Sequence, residues 1–482
     1  MMAALCAVAQ NASWQFGNKL KSLSMVNSNA VTLVAQTDEG VLMVVPDVKM
    51  LIGNRVGHRE VHLRLVDRDA NILKDMVLDS CLSLKCYTNI IDGKLYMLYP
   101  TYSGFMREVV DLASFKSELR ERVEGLMPTT IENSLMLEPL HTSHVSLSPN
   151  RDFCVVVTLG RDGKSVSMTL LDATFDLLWT KMDTPYSGDI IVTDEGVVYM
   201  MNGRYNEELR RAELALTRID VDDEIVETPT LPLEIGNLQL VNVMNDCMVM
   251  AGIVNAEDAG QHKKDRFQNF DRVVGISYNF TTKQLKYNTQ KLTDDALNVF
   301  GNLSTKKPNK VGKADGLGFG GWVPTTYGGV AVLERTWVVE YRDQYGSTSY
   351  TFNVMGAMAY AVDIDANILW QRPMRHNMRE PYKTQSLTKP VVFAEGDDVY
   401  VVSYAPKADK TFDITKPTAQ VGLPFSKHNT VVYHIDRQGN MSQFADKKAE
   451  RQVLTGWLKL APGSYLALWN KVSNGGLVWV KF

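Results

Sequence analysis

Val362-Asp363-Ile364-Asp365-Ala366-Asn367-Ile368-Leu369 has a near copy far earlier in the chain, Val66-Asp67-Arg68-Asp69-Ala70-Asn71-Ile72-Leu73. Each copy is an aliphatic residue, an acidic turn and a second aliphatic run. Asp and Asn in such turns hydrogen-bond to nearby backbone and tolerate left-handed conformations, so the octapeptide joins two antiparallel strands. Looser copies run from Leu171 to Trp179, from Ile219 to Ile225 and from Ile435 to Asn440.

A second unit interleaves with the first, an apolar run broken by a tight polar turn. It recurs at Asp38-Glu39-Gly40, Asp92-Gly93, Asn150-Arg151-Asp152, Asp194-Glu195-Gly196, Asn245-Asp246, Gly328-Gly329, Gly396-Asp397 and Pro462-Gly463. From Gly40 to Gly463 the spacing averages roughly 60 residues, long for a repeat of this kind. Two hairpins per period give four antiparallel strands, which is one blade of a β-propeller. The expected fold is therefore all-β, a single propeller of eight four-stranded blades, or seven if the irregular second unit is not a blade. The last unit stops three strands in, at Leu477–Phe482. The stretch from Trp14 to Val26 is available as the fourth strand, closing the ring with both termini. Helical spacing stands out in one place, Val110 to Leu126, where a short helix is expected.

Composition narrows the function. The chain has 482 residues, 45% hydrophobic and 22% charged, with a net charge of −4. That balance lacks the basic field that nucleic-acid binding requires, so no nucleic-acid partner is expected. No apolar run is long enough for a membrane-spanning helix. Residues 1–9, MMAALCAVA, end in Ala7-Val8-Ala9, the small-x-small pattern of a signal-peptidase site, and read as the remnant of a signal peptide. Residues 10–482 then form the propeller, exported to the periplasm or cell surface of a bacterium and expected to be monomeric. Cys81 and Cys86 are close enough in sequence to bridge across a turn. Cys154 and Cys247 open apolar strands and read as small buried hydrophobes.

In a four-stranded blade the first and third connections share one face of the disc, and the second shares the other with the inter-blade links. All the long insertions fall in the latter class: Asn255–Arg272, Leu292–Trp322, Arg342–Ser347 and Tyr404–Thr430. Long loops on a rigid scaffold are where binding resides. The candidate ligand-binding residues are His262, Lys263, Arg266 and Phe267 in the first loop and Trp322 in the second. Arg342 and Tyr345 lie in the third, and Phe412, Phe425 and His428 in the fourth. Basic and aromatic side chains on such a rim suit an anionic glycan or an acidic protein segment.

Motifs for catalysis are weak. Gly316 to Gly321 lacks the βαβ context of a dinucleotide loop. His58 and His62 lead into a strand, and no spacing suggests a metal site. No nucleophile elbow occurs. The paired carboxylates Asp67/Asp69, Asp222/Asp223 and Asp363/Asp365 sit in the repeated turns, where repetition argues for turn chemistry. Neither cofactor nor metal is expected, and no catalytic residue is assigned.

The stretch Val362 to Trp370, with the strand pair from Lys389 to Tyr404, resembles large secreted or periplasmic β-propeller proteins of unassigned function from Bacteroidetes-type bacteria. In these an acidic turn and an Ile-Leu-Trp run end a blade. The resemblance implies an envelope location and a binding or scaffold role. Quinone-dependent dehydrogenases share Trp-ended blade repeats, but here only Trp179 and Trp370 recur at that position. The leading expectation is a non-enzymatic binding or assembly module of the bacterial envelope, recognising a protein or glycan through the long loops. The alternatives are a propeller hydrolase or lyase acting on a glycan in the central funnel, and a cytoplasmic hub of the WD-repeat kind.

Overall fold

The computed structural model describes residues 13–20, 31–47, 60–79, 81, 86–101, 104–126, 143–159, 166–182, 189–206, 211–231, 233, 235–255, 270–301, 316–342, 348–381, 389–406, 421–422, 428–445, 452–471 and 474–482. They form eight sheets, each built on four antiparallel strands, the eight blades of one propeller.

Blade one comprises Thr32–Gln36, Val41–Asp47, Glu60–Val66 and Ile72–Leu78, innermost strand first. Blade two comprises Tyr87–Ile91, Lys94–Thr101, Gly104–Asp111 and Lys116–Arg122. Blades three and four repeat the pattern from Ser143–Leu147 to Leu177–Met182 and from Asp189–Val192 to Glu224–Glu227. Blade five runs from Ile235–Met244 to Gln284–Lys291, and blade six from Leu317–Thr325 to Ile368–Pro381. Blade seven has Val391–Glu395, Asp398–Pro406, His428–Ile435 and Met441–Phe444. Blade eight takes Val453–Ala461, Ser464–Lys471 and Asn474–Lys481 from the C-terminal end, and its outer strand is Ser13–Leu20. Ser13 lies opposite Lys481 and Leu20 opposite Gly475, so the ring closes as the sequence implies.

Neighbouring residues on one strand are buried together, as at Val431 and Val432, because a blade is covered on both faces. The apolar core accordingly lies between blades. Val330 and Ala359 of blade six meet Val401 and Val431 of blade seven, and Leu33 and Val41 of blade one meet Leu466 and Leu468 of blade eight.

The acidic turns act as turn chemistry. Asp67 Oδ1 and Asp363 Oδ1 each accept the backbone N–H four residues on, at 2.8 Å, and the Asn71 and Asn367 amides donate to the other oxygen. Ala70 and Ala366 adopt φ of 68° and 67°, which these bonds hold in place. The same face carries ties between blades. Asn18 reaches Asp69, Lys74 the Leu112 carbonyl, Arg107 Asp176, and the Asn150 amide Asp194. Arg218 reaches Asp246, Lys286 Asp365, Trp370 the Arg437 carbonyl, and Lys459 Glu395. Together they span all eight junctions of the ring.

Two elements differ from the sequence reading. Val110 to Leu126 is not a helix but a hairpin turn and outer strand. Asp111 caps the turn through the Ser114 amide at 2.6 Å, and Phe115 takes φ of 55°. Lys116–Arg122 is exposed throughout, so its charges mimic an amphipathic helix while facing solvent from a sheet edge. Among the described residues a helix forms elsewhere: α1 (Asp294–Gly301) lies between blades five and six, and Thr293 caps it through the Ala296 amide at 3.2 Å. No helix among the described residues is long and apolar enough to cross a membrane.

Candidate functional site

Blade six is unlike its neighbours. Its second, third and outer strands run 15, 16 and 14 residues, against 10 or fewer elsewhere. The inner strand ends its pairing at Arg335, opposite Leu317. Thr336–Arg342 therefore carries extended strand about 24 Å beyond the inner strand, at about 3.4 Å per residue. This fin rises from the face that bears the inter-blade links. Val421–Gly422, from the long connection of blade seven, adds to its outer strand in parallel at Met378 and Arg379.

A β-bulge marks the base of the fin. Gly356 is an extra residue between Arg335↔Met355 and Glu334↔Ala357, and on the outer strand two residues, Arg375 and His376, face it where one would pair. The Gly356 N–H bonds to Asn377 Oδ1 at 3.0 Å. The bulge turns Arg375 and His376 inward, where both are buried. His376 Nδ1 lies 2.8 Å from Ser403 Oγ of blade seven, and its Nε2 lies 3.7 Å from Glu334 Oε2 of blade six.

Serine, histidine and glutamate in a row resemble an acyl-transfer triad in composition, and no local sequence signature brings them together. Their proton arrangement is the wrong one for that chemistry. Ser403 donates its only hydroxyl proton to the Arg375 carbonyl at 2.6 Å, so that proton is directed away from His376, whose Nδ1 also faces the Tyr404 backbone N–H at 3.4 Å. A general base must take the proton of its nucleophile. Both side chains are also fully buried. The row is an interior polar brace between blades six and seven, extended to blade eight by the Tyr404 hydroxyl, which donates to the Leu454 carbonyl at 3.0 Å.

Burial pushes the Glu334 carboxyl up to about 7. A carboxyl raised in the folded state contributes stability that is complete below its unfolded value and lost as pH rises through the folded one. Glu334 should therefore cost about 3 kcal/mol between pH 5 and 8. Asp189, raised by burial to about 6 despite accepting from Gln239, acts in the same direction. Denaturation midpoints should fall from pH 5 to pH 8, and Glu334→Gln, which cannot titrate, should flatten most of that slope. An unchanged slope in the variant would remove Glu334 as its source.

The residues expected from sequence divide three ways. His262, Lys263, Arg266, Phe267, Tyr345, Phe412 and Phe425 lie outside the described residues, as do residues 1–9 and His58. Trp322 is not in a loop but on the inner strand of blade six, 45% exposed, and Arg342 ends the rising strand of the fin opposite Thr348. His428 is a correction. It lies in the strand His428–Ile435, 1% exposed, with Nε2 on the Gln452 carbonyl at 3.1 Å, and has no surface to offer a ligand. A histidine beginning a strand is drawn inward when a carbonyl of the next blade can satisfy its ring. His62 is likewise structural, held by Asp75 at 2.9 Å.

A groove of about 790 Å³ opens at the axial mouth on the opposite face, lined by Gln36, Asp38, Asn89, Ile90, Arg151 and Lys459 among others. Most of its polar groups are already spent on ties between blades. Arg151 donates to the Thr88 carbonyl, Asn89 to those of Arg151 and Ala173, and Gln36 accepts from Trp479.

No family model matches the chain, and no curated protein matches it. Solved structures with a similar fold are β-propellers. One is the Dos1 propeller, at 10% identity and a TM-score of 0.42, covering 97% of this chain and 96% of that one. Another is the polysaccharide lyase Uly1, at 9% identity and a TM-score of 0.36, covering 82% and 89%. A third is the β-propeller domain of the Trilobed protease from Pyrococcus furiosus, at 9% identity and a TM-score of 0.35, covering 86% and 98%. What they share with this chain is the architecture of the disc.

Proposed function

We propose that this propeller is a non-enzymatic recognition or assembly module that engages a protein or glycan through the face bearing the fin. The fin carries this reading. A multi-stranded projection on the same face as the long connections builds a contact surface that a closed disc lacks. Its base is fixed on both sides. Arg335 donates to the Phe300 carbonyl of α1 at 2.6 Å, while Phe352, Val354 and Met378 pack on Tyr404 and Val453 of the next two blades.

The same proposal places the protein outside the cytoplasm, in the envelope setting that the family resemblance implies. The closing strand starts at Ser13, so cleavage after Ala9 leaves the ring complete. N-terminal sequencing of protein recovered from the medium or periplasm should read Gln10; retention in the cytoplasm with Met1 intact would end the export reading.

The binding test is a glycan and peptide array probed with the full chain and with a variant whose fin is shortened. In the variant, Val339 and Thr351, which are cross-strand partners, are joined by an Asn-Gly turn in place of residues 340–350. Any ligand found should bind the variant at least about tenfold more weakly, close to 1.4 kcal/mol. Equal binding by both proteins, or turnover of a bound glycan, would transfer the site to the central funnel.

A further inference from the structure

Cys81 follows the outer strand of blade one, and Cys86 precedes the inner strand of blade two, so the pair brackets one inter-blade connection. Both are reduced thiols, buried at 4% and 5% exposure, with their Sγ atoms 4.0 Å apart. They share one apolar cluster with Leu78, Leu95 and Tyr99. Cys154 and Cys247 lie in the sheets of two other blades. Contact between two thiols falls short of a disulfide by about 2 Å of sulfur movement, within the reach of side-chain rotation when both residues end short links.

The surroundings determine when such a bond can form. The Cys81 thiol and burial together push the Cys86 thiol well up, and nearby Glu108 adds to the effect. Only a thiolate attacks a disulfide, so Cys86 is a poor nucleophile in the folded chain, and burial keeps oxidants from both sulfurs. Closure belongs to folding, before the segment is covered, and a closed bond is then shielded from reductants.

We propose that Cys81 and Cys86 are a structural disulfide site, closed by a disulfide oxidant when the chain folds under oxidising conditions. The deprotonated thiol of one cysteine attacks oxidised glutathione and releases one glutathione thiolate. The thiolate of the other then attacks the protein-side sulfur of the mixed disulfide and releases the second. Two electrons pass to the oxidant, and the two thiol protons end on the released glutathione. The bond staples the outer strand of blade one to the inner strand of blade two. It depends on neither the fin nor the binding role, so either can fail without the other.

The test is to refold the full chain from denaturant with a mixture of oxidised and reduced glutathione. Free thiols are then alkylated under denaturing conditions, and the chain is cut with trypsin. Lys85 separates the two cysteines, so a bridged pair appears as peptides Asp75–Lys85 and Cys86–Lys94 joined together, lighter than their sum by two hydrogens. The joined species should vanish on reduction, while Cys154 and Cys247 are recovered alkylated. The denaturation midpoint of the oxidised protein should drop on adding reductant, and that of Cys81→Ser should not respond. Recovery of both peptides separately alkylated, or of either joined to any other cysteine, would overturn the assignment. The mass readout uses the unsubstituted chain, so it stands even if the serine variant folds poorly.

Discussion

A chain truncated to begin at Lys21 is expected to lose its closed ring and to unfold at far lower denaturant than the full chain. The missing strand, Ser13–Leu20, completes blade eight and buries Trp14 and Leu20 at 4% and 7% exposure. Trp14 lies in the core shared with Leu454, Ala467 and Val480, and Phe16 meets Trp469 edge-on at 6.4 Å. Deleting a single large buried side chain costs about 3 to 5 kcal/mol. Loss of the whole strand should exceed about 5 kcal/mol, comparable to the entire stability of an ordinary domain. It also bares the edge of Asn474–Lys481, an invitation to pair with another copy. Denaturant titration and size-exclusion chromatography should show a reduced midpoint and concentration-dependent association. Peptide 13–20 added in trans should reverse both. A truncated chain that stays monomeric with an unchanged midpoint would refute closure by the N-terminal strand.

The second large effect is expected at the base of the fin. Gly356 holds φ of 73°, and a Cβ there would lie 2.2 Å from Val299 Cγ1 and 2.6 Å from the Val299 carbonyl oxygen in α1. The methyl could rotate away, but the carbonyl belongs to the helix backbone and cannot. Gly356→Val combines this clash with a left-handed conformation that β-branched residues resist, at a cost of about 4 kcal/mol or more. Gly93 is the matching control. It has a similar φ of 76° with open space around it, so Gly93→Ala should lose only about 1 to 2 kcal/mol. Equal losses at the two sites, measured by chemical denaturation, would show that the packing of α1 against the bulge contributes nothing.

Much of the fold can be read locally because its punctuation is local. Asp67, Asp363 and Asp436 each fold their own turn with an asparagine four residues on, and such turns form whatever the rest of the blade does. Blade count and ring closure follow from them. Lys116–Arg122 misleads because charge on an exposed edge strand has no period that separates it from a helical face. The fin is less legible. Val354-Met355-Gly356-Ala357-Met358 does contain a signal, a lone glycine inside an apolar run, which marks a bulge. Glu334, His376 and Ser403 share no motif, since a brace between blades depends on the register of three separate strands. His428 shows the converse failure. Its neighbours in sequence are polar, but its ring is satisfied by a residue 24 positions away.

Blade eight joins the two chain ends as antiparallel neighbours, with Ser13 beside Lys481. Force applied between the termini therefore acts at one end of that strand pair and across it. It breaks the hydrogen bonds in succession, as a zipper opens, rather than loading them all in shear. Ser13 and Lys481 both lie at the tight-turn side of the disc, opposite the fin, so the pair opens from the side that carries the ties between blades.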